Sequence, residues 1–363
     1  MDISDRMKYL KTQRRELRPK KQTIGKLLDD MAQTAFQGRK LGELLTIWKR
    51  MLSEKENVIF MGLSGAMVPA GMGGVISHLI NNRGIDVLVT TGAALSHDLY
   101  QILGWKHYIG THRVNDDELQ ILKIDRVYDV FTDENGFLAA DDWVMKRLPE
   151  LMEDEKPYSS REVAEIIGRE ASKMDSDGES VLASAYNKGI PIFTPAFGDS
   201  SIGFALMMAN RRQKRRIIVD MMRDVDQICQ ITETCGNTGV VLIGGGVPKN
   251  YIQQTAVVAG YETNTELMHN FGIAITTDSP QWGGLSGCTF EESKSWGKYD
   301  KDAVMATCYC DATIALPILV SALSEWELLS SRIAPEFSWN ENRLTIRHGK
   351  SKKMWREMKQ PSK

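Results

Sequence analysis

The chain has 363 residues, of which 42% are hydrophobic and 25% are charged, a composition typical of a folded globular protein. Its formal net charge of -2 argues against a dedicated nucleic-acid-binding protein, which would carry a basic surface. No segment approaches the roughly 20 consecutive apolar residues that cross a bilayer. The polar first 21 residues do not fit a secretory signal, so we expect a cytoplasmic protein with neither a membrane nor a nucleic-acid partner.

The chain contains five cysteines, an odd number, and no two are spaced as a Cys-x-x-Cys pair. The sequence therefore predicts neither a disulfide framework nor a metal site. Because free cysteine is usually a core residue, we expect buried or half-buried thiols. They are Cys229, Cys235, Cys288, Cys308 and Cys310.

The first part of the chain, residues 1–55, is predicted to form an amphipathic helical extension. Its apolar residues recur three and four positions apart, the spacing that places side chains on one face of a helix. The residues that carry this pattern are Leu27, Leu28, Met31, Ala35, Phe36, Leu41, Leu44, Leu45 and Trp48.

After residue 56 the pattern changes to short apolar runs that alternate with helical segments. The predicted strands are residues 58–61, 86–90, 190–194, 240–243, 273–276 and 304–310, and helices are predicted at 67–82, from about 248, and at 312–323. Continuous apolar strands alternating with helices are typical of a mostly parallel sheet covered on both faces. We therefore predict one Rossmann-like α/β domain over residues 56–332.

Two polar segments leave alternatives open. The basic run at residues 211–216 is read as a solvated turn before a strand rather than as a polyanion site. Residues 333–363 form a polar and basic C-terminal tail that contains Trp339 and Trp355. The tail either packs on a neighbour or is disordered, and the sequence does not decide between the two.

In a parallel α/β sheet, ligands bind in the loops that follow the carboxyl ends of the strands. Here those loops are rich in small and acidic residues, which suit phosphates and ribose hydroxyls respectively. They contain Ser64-Gly65-Ala66, residues 90–94, Asp199-Ser200-Ser201, residues 244–246 and Asp311-Ala312. No Gly-x-Gly-x-x-Gly motif follows a strand, and a tight turn explains the glycine triplet as well as a phosphate site does.

Lys298 is the candidate for covalent catalysis. It follows a glycine-rich loop at residues 283–287 and the dipeptide Trp296-Gly297. A lysine amine attacks carbon only when its pKa is lowered, and desolvation beside an aromatic ring can lower it. Glu292 lies six residues earlier and could bind a cationic substrate. Spacing alone, however, favours an ordinary surface lysine.

From about residue 57 to residue 323, the sequence resembles the deoxyhypusine synthase family. The segment Ser295-Trp296-Gly297-Lys298 resembles the imine-forming lysine motif of that family, and Asp311-Ala312 follows at the family's spacing. Three further motifs fall in the family's order: Thr90-Thr91-Gly92, Pro195-Ala196 with Asp199, and residues 244–249. Several motifs in one order are more specific than any single one.

The resemblance implies a redox-neutral transfer reaction. NAD takes a hydride from spermidine, 1,3-diaminopropane leaves, and the aminobutyl group is held as an imine on Lys298. An acceptor amine then receives the group, and the stored hydride reduces the product. The family's fold is a Rossmann-like single domain, assembled as a homotetramer with active sites at the dimer interface.

The resemblance also implies site residues, position by position. The cofactor is expected to contact Gly65, Ala66, Met67, Val68, Pro69, Thr91, Gly92, Ala93, Asp199, Thr277, Asp278, Asp311 and Ala312. The polyamine is expected to contact Asn250, Gly283, Gly284, Leu285, Glu292 and Trp296. Trp296 would line the aliphatic chain and keep water from the imine on Lys298.

The sequence departs from the eukaryotic members of the family at four positions. His97, Phe204 and Leu285 stand where those enzymes place carboxylates on the polyamine, and Asn250 stands where they use a histidine. These departures resemble the prokaryotic deoxyhypusine-synthase-like branch. His97 is either a catalytic proton shuttle or a structural hydrogen-bonding residue. The candidates for replacement anchors are Asp98, Asp116, Asp117 and Asp278.

Three functions remain open at this point. The first is transfer to a lysine of the hypusine-bearing translation factor, the reaction of a deoxyhypusine synthase. The second is transfer to putrescine, the reaction of the homospermidine synthases within the wider family. The third is a catalytically inactive regulator that binds NAD or polyamines, which the missing carboxylates favour and the retained Lys298 disfavours.

Overall fold

A computed structural model of the chain describes residues 9–263 and 265–355. At its centre lies a six-stranded sheet in the order β11-β10-β9-β1-β2-β7, with every neighbouring pair parallel. The strands, numbered along the chain, are β1 (Asn57–Leu63), β2 (Val87–Val89), β3 (Tyr108–Ile109), β4 (Ile124–Val127), β5 (Val130–Asp133), β6 (Pro157–Tyr158), β7 (Ile192–Phe193), β8 (Ile218–Val219), β9 (Asn237–Ile243), β10 (His269–Thr276), β11 (Tyr299–Tyr309), β12 (Pro335–Asn340), β13 (Arg343–His348) and β14 (Ser351–Met354).

Helices connect the parallel strands and cover the sheet. None of the helices in the described part of the chain combines the length and the apolarity that a membrane-crossing helix requires. They are α1 (Ile24–Met31), α2 (Phe36–Ser53), α3 (Gly73–Asn81), α4 (Gly92–Ile102), α5 (Asp116–Leu122), α6 (Glu134–Leu151), α7 (Ser160–Ala171), α8 (Val181–Lys188), α9 (Ser201–Gln213), α10 (Met221–Thr234), α11 (Gly246–Thr263), α12 (Phe290–Ser295), α13 (Ala312–Ser324) and α14 (Leu328–Ser331).

The two faces of the sheet pack into two separate apolar clusters. Along β1, Ile59 and Met61 belong to one cluster, whereas Val58 and Phe60 belong to the other. This division follows from the alternation of side chains along a strand. Every residue of β1 is buried, so the continuous apolar runs reflect burial on both faces. The predicted Rossmann-like α/β fold is confirmed.

The N-terminal segment differs from its helical prediction at residues 10–23, which contain no helix. This stretch holds Pro19 and several closely spaced basic residues, a poor composition for helix formation. Helix α1 begins after Thr23, whose hydroxyl accepts a hydrogen bond of 3.3 Å from the Lys26 backbone N–H. The carboxylate of Glu325 accepts two more, from the backbone N–H groups of Ile24 and Gly25.

The segment predicted as one helix over residues 67–82 is interrupted. A π-helical turn, Val68–Met72, precedes α3, and Gly71 within it has φ 83°. A left-handed residue breaks the regular hydrogen-bond ladder, and glycine adopts that conformation without steric cost. The sequence contained this signal in the glycines at 71, 73 and 74.

Residues 333–355 of the predicted C-terminal tail are described by the structure, and residues 356–363 lie outside the described part of the chain. Strands β12, β13 and β14 form an antiparallel sheet, and buried Leu344 and Ile346 join the cluster that includes Ile228 of α10. The Leu344 N–H donates 3.0 Å to Gln230 Oε1, also on α10. The sequence left the position of this segment undecided, and it packs on its own chain. The division of the chain at residues 55 and 332 stays a prediction.

All five cysteines are free thiols, as predicted. Three are buried and two, Cys288 and Cys310, are half-buried. Burial raises the pKa of the Cys229 and Cys235 thiols to about 12 and that of Cys308 to about 11. These three thiols are therefore core residues of low reactivity.

Candidate functional site

The parallel strands end at one edge of the sheet, and this edge carries the predicted site. In the register, Gly62 lies opposite Val89, Leu63 lies opposite Ile243, and Thr276 lies opposite Tyr309. The expected cofactor residues follow these strand ends within a few positions. The exposed ones are Gly65, Ala66, Ala93, Asp199, Thr277, Asp278 and Asp311; Met67, Thr91 and Ala312 are half-buried, and Val68, Pro69 and Gly92 are buried.

The turns after β1 and β9 pack directly on each other. The Gly245 N–H donates 2.8 Å to the hydroxyl of Ser64. A Cβ on Gly244, which has φ 72°, would lie 2.4 Å from that oxygen. Only a glycine allows this close approach. The glycine triplet therefore has a structural function at this edge, independent of any phosphate.

The turns after β2 and β7 also lie against each other. Thr91 caps α4 by accepting 3.3 Å from the Ala94 N–H, and Ser200 caps α9 by accepting 3.1 Å from the Gly203 N–H. A Cβ on Gly92 would stand 2.5 Å from the Ser200 side chain. The N-termini of the two helices are therefore adjacent, an arrangement that favours anions.

Asp311 caps α13 at the end of β11. Its Oδ1 accepts from the Thr313 N–H at 2.8 Å and also from the Thr313 hydroxyl. Those bonds, the hydroxyl first, lower the pKa of Asp311. Its carboxylate is exposed and ionised at neutral pH, so it can accept hydrogen bonds from hydroxyl groups.

Lys298 lies between α12 and β11 and is only 7% exposed. Its backbone N–H donates 3.2 Å to Ser293 O, and its carbonyl accepts 3.1 Å from the His269 N–H. Its Nζ donates 2.9 Å to Oδ1 of Asn250. Burial lowers the pKa of Lys298. The alternative of an ordinary surface lysine is therefore excluded.

Asn250, expected at the polyamine, contacts the candidate carrier lysine, and its contact with a polyamine stays a prediction. It lies in the second turn of α11, and its amide oxygen accepts from the Lys298 amine. An amide is neutral and does not take up a proton at any ordinary pH. Asn250 therefore orients Lys298 without stabilising its ammonium form as a carboxylate would.

Lys249, which precedes Asn250, is a site residue that the sequence reasoning missed. It is 5% exposed, and its Nζ donates to the carbonyl oxygens of Ser286 at 3.3 Å and Cys288 at 2.6 Å. Burial lowers the pKa of Lys249. The available signal was a lysine at the start of a helix directly after a glycine turn, where a cation opposes the helix dipole.

The expected polyamine residues around Lys298 lie mostly at the surface of the single chain. Gly283, Gly284 and Glu292 are exposed, while Leu285 is 47% and Trp296 is 68% exposed. Trp296 therefore presents most of its side chain to solvent in the single chain, and its role beside the imine stays a prediction.

The sequence comparisons identify the family. The sequence model of deoxyhypusine synthase matches residues 26–323, which is most of the chain. The chain belongs to the deoxyhypusine synthase family. Membership places it among the alkyl-group transferases of that type, as the resemblance predicted.

Relatives that are named as deoxyhypusine synthases support this assignment, and the matches cover most of each chain. The chain is 48% identical to "probable deoxyhypusine synthase 2" of Methanosarcina acetivorans, over 88% of this chain and 92% of that one. The protein of the same name in Archaeoglobus fulgidus is 49% identical over 81% of this chain and 95% of that one. A "deoxyhypusine synthase-like protein" of Chlorobaculum tepidum is 34% identical over 82% of this chain and 85% of that one.

A solved structure supports the fold. The crystal structure of a protein from Entamoeba histolytica, assigned to deoxyhypusine synthase, matches with a TM-score of 0.61 at 18% identity. The match covers 84% of this chain and 96% of that one. At this identity the likeness concerns the fold alone.

His97, one of the departures from the eukaryotic members of the family, lies in an aromatic cluster. Its Nδ1 is 2.9 Å from Nε2 of His107, and its ring meets Phe137 edge-on at 5.1 Å. Burial first, and then His107, lower the pKa of His97 to about 4. These contacts match the structural alternative, and a role in proton transfer stays a prediction.

Asp98 is not available as the replacement anchor that the sequence suggested. Its carboxylate accepts 2.8 Å from the Ser180 hydroxyl, 3.0 Å from the Val181 N–H and 2.8 Å from the Leu182 N–H. It is 2% exposed and caps α8. Burial raises the pKa of Asp98 to about 6. Its hydrogen-bonding capacity is used within the fold.

Two other suggested anchors, Asp116 and Asp117, lie on the exposed face of α5. Asp116 forms an ion pair of 2.7 Å with Arg126, and its pKa is lowered, first by that hydrogen bond. Asp278 is exposed at the end of β10 and remains a candidate.

Asp141 is a carboxylate that the sequence reasoning did not single out. It projects from α6, and its Oδ1 accepts from the hydroxyl of Ser201 at the start of α9. Burial raises the pKa of Asp141. No motif marks this residue, since only the packing of α6 on α9 brings it to Ser201, two residues after Asp199.

Proposed function

We propose that the chain transfers a 4-aminobutyl group from spermidine to an acceptor amine, with NAD as the cofactor and Lys298 as the covalent carrier. The observation that carries this proposal is the Lys298 amine, which is buried and hydrogen-bonded to a neutral amide oxygen. An amine must be unprotonated to attack carbon, and burial without a carboxylate partner favours that form.

The proposed covalent step is an exchange of amines at one carbon. The Lys298 nitrogen attacks the activated carbon of the aminobutyl group, and the bond to 1,3-diaminopropane breaks as that amine takes a proton. The group is then held as an imine on Lys298. An acceptor amine attacks the same carbon, and the Lys298 amine leaves unchanged.

The residues at the carboxyl edge fit a dinucleotide. Gly65 has φ 77°, and the nearest atom to a Cβ placed on it is Met67 Cε at 4.0 Å, so a phosphate can approach its backbone closely. Asp199 and Asp311 are exposed carboxylates able to accept ribose hydroxyl protons. NAD would supply a hydride acceptor for the carbon beside the secondary amine of spermidine and return the hydride to the product. The proposed cofactor residues are those expected from the resemblance.

A polyamine needs carboxylates near the carrier lysine. Glu292 and Asp278 are exposed on the segment between β10 and Lys298, and both act electrostatically on buried Lys249. Glu292 also acts on Lys298 itself. We assign these two carboxylates to the cationic amines of the substrate, together with the expected contacts at Gly283, Gly284 and Leu285.

The proposal includes assembly as a homotetramer. In the segment that leads to the carrier lysine, Trp282 is 77%, Trp296 is 68% and Leu285 is 47% exposed. Large apolar side chains that are exposed close together in the chain are typical of an interaction site. Light scattering coupled to size-exclusion chromatography tests the assembly, and a single-chain mass for the active protein would contradict it.

The experiment combines labelled spermidine with trapping of the imine. The purified protein is incubated with NAD and spermidine labelled in its aminobutyl carbons, then reduced with borohydride. We expect label on Lys298 in the wild type and none in Lys298→Ala. The matched control is Lys301→Ala, an exposed lysine in the same region, which should be labelled on Lys298 as the wild type is.

Two acceptors then separate the open functions. Label transferred to the hypusine-bearing translation factor identifies a deoxyhypusine synthase, whereas label found only in a small amine identifies a homospermidine synthase acting on putrescine. An absence of any labelled adduct on the wild type would leave the third function, an inactive NAD- or polyamine-binding regulator, and would refute the transferase proposal.

A further inference from the structure

Lys249 is a buried cation in the first turn of α11. The positive end of a helix dipole disfavours a cation there, and burial disfavours any charge. Two carbonyl oxygens offset this cost, those of Ser286 and Cys288, at 3.3 and 2.6 Å from Nζ. Because a lysine at this position does not stabilise the helix, we expect Lys249 to stabilise the loop that it contacts.

That loop is packed against the glycine turn. The Gly246 N–H donates 3.1 Å to the Ser286 hydroxyl. A Cβ on Gly245 would lie 2.3 Å from Ser286 Cα, so the backbone of one segment touches the backbone of the other. Lys249 also lines a small cavity with Thr276 and Tyr309, at the carboxyl ends of β10 and β11.

Two short paths lead from Lys249 to Lys298. On the loop side, Cys288 Sγ lies 3.5 Å from the Ser293 hydroxyl, and the Ser293 carbonyl accepts 3.2 Å from the Lys298 N–H. On the helix side, the next residue, Asn250, accepts from Lys298 Nζ at 2.9 Å. Both the backbone and the amine of Lys298 are therefore held by segments that Lys249 joins.

We propose that Lys249 is a positioning residue for Lys298: its ammonium fixes the 286–288 loop on α11, and its charge favours the neutral, attacking form of the Lys298 amine. This inference rests on the proposed function, because it takes Lys298 as the lysine that forms the imine. It adds a second lysine, one that acts through Lys298 and does not itself bond to the substrate.

Three other groups act electrostatically on the two lysines. Cys288 and Glu292 both favour the charged form of Lys298, and the same two groups act on Lys249 together with Asp278. The Lys298 charge in turn lowers the pKa of Lys249. Because repulsion between two charges is mutual, the Lys249 ammonium also disfavours the charged form of Lys298.

The test measures imine formation at Lys298 with butyraldehyde and cyanoborohydride, without NAD or spermidine. The aldehyde carbon bonds to the lysine nitrogen and water leaves; hydride from cyanoborohydride then adds to that carbon and a solvent proton to the nitrogen. Mass spectrometry gives the labelling rate of each lysine from pH 6 to 10. The proteins are the wild type, Lys249→Met, Lys249→Arg and the control Lys301→Met.

In Lys249→Met we expect Lys298 to be labelled at least tenfold more slowly at pH 7.5 than in the wild type. The midpoint of the pH profile of this labelling should move to higher pH. Lys249→Arg should restore the midpoint, because it keeps the charge, and Lys301→Met should match the wild type at Lys298. Should Lys249→Met not fold, Lys249→Gln must show the same upward shift, since it can donate to the same carbonyl oxygens without a charge.

A rate within twofold of the wild type, or an unmoved midpoint, in the folded uncharged variant would overturn the role of Lys249. Failure of the proposed function has a different signature. In that case Lys298 of the wild type itself would label no faster than exposed Lys301.

Discussion

The amine of Lys298 and the side-chain amide of Asn250 form a hydrogen bond of 2.9 Å. The acceptor is uncharged, so it directs the amine without the strong stabilisation of an ammonium that a carboxylate gives. Burial acts in the same direction and lowers the pKa of Lys298. The hydrogen bond therefore orients the amine of the proposed carrier, and burial favours its neutral form.

Replacing the amide by a carboxylate tests this pair. We expect Asn250→Asp to raise the pKa of Lys298, because a negative charge at hydrogen-bond distance favours the ammonium form. A rise of about one unit lowers the neutral fraction, and the transfer rate at pH 7, about tenfold. The measurement is the pH dependence of borohydride-trapped adduct, which should move to higher pH in the variant.

Gln254 provides the matched control for that change. It is an exposed amide on the same helix as Asn250, so Gln254→Glu adds the same charge away from the lysine. We expect its pH profile to coincide with that of the wild type. An Asn250→Asp profile that also coincided would show that the amide does not govern the protonation of Lys298.

The contact between the glycine turn and the 286–288 loop predicts a second effect. A methyl group at Gly245 would stand 2.3 Å from the backbone of Ser286, so Gly245→Ala must separate the two segments. We expect destabilisation of about 1–3 kcal/mol and a loss of transfer activity at temperatures where the variant is folded. Gly74→Ala, whose new Cβ meets nothing within 4 Å, is the control and should keep both properties.

The fold was predictable where burial leaves a simple pattern. Strands such as β1 and β9 are buried on both faces, so they appear as continuous apolar runs. Their ends were less certain, and β2 and β7 are shorter than predicted because only residues 87–89 and 192–193 satisfy the pairing. Strand pairing depends on a neighbouring strand, and β7, the neighbour of β2, lies about 100 residues later in the chain.

The antiparallel C-terminal sheet could not be assigned from the sequence. Its strands alternate buried and exposed residues, as in β13, where Leu344 and Ile346 are buried. This alternation predicts a half-buried strand only if some other element covers one face. The covering element is α10, more than 100 residues earlier, so the local sequence could not settle its place.

The sequence predicted which loops form the candidate site. It did not predict which side chains within the fold contact each other there. Parallel strands bring their carboxyl ends together, so the expected cofactor loops share one edge. The functions of Asp98 and Asp141 depended on packing instead. Asp98 caps α8, whereas Asp141 on α6 accepts a hydrogen bond from Ser201 on α9. Neither contact has a local sequence signal.

A buried ion pair anchors the segment that follows α13. Arg332 donates to both carboxylate oxygens of Asp86, at 2.8 and 2.7 Å, and the two side chains are 5% and 0% exposed. We expect Arg332→Met to lower the free energy of unfolding by about 3–5 kcal/mol, because it leaves the buried Asp86 charge uncompensated. Urea denaturation measures the change.

An exposed ion pair gives the comparison for that prediction. Arg126 and Asp116 are also bidentate, at 2.7 and 2.8 Å, but the Asp116 side chain is 61% exposed. We expect Arg126→Met to lower the free energy of unfolding much less than Arg332→Met does, because solvent screens the exposed pair. Equal losses in the two variants would indicate that burial does not determine the strength of the Arg332 pair.

The pair of His97 and His107 predicts how stability depends on pH. The ordinary histidine pKa is 6.5, and burial with the neighbouring His107 lowers that of His97 to about 4 in the folded protein. Between those two pH values the unfolded chain binds more protons at this residue than the folded chain does. The free energy of unfolding must therefore fall as the pH falls from 6.5 to 4.

Replacing His97 by phenylalanine removes this titration and keeps an aromatic ring beside Phe137, which the His97 ring meets at 5.1 Å. Between pH 7 and pH 4.5 we expect the wild type to lose on the order of 2 kcal/mol more stability than His97→Phe does. His112→Phe, on the exposed segment where His112 stacks on Tyr128, serves as the control and should lose as much as the wild type. Urea denaturation at the two pH values measures all three differences. Equal losses in acid for His97→Phe and the wild type would show that the titration of His97 does not contribute to the pH dependence of stability, despite its contact of 2.9 Å with His107.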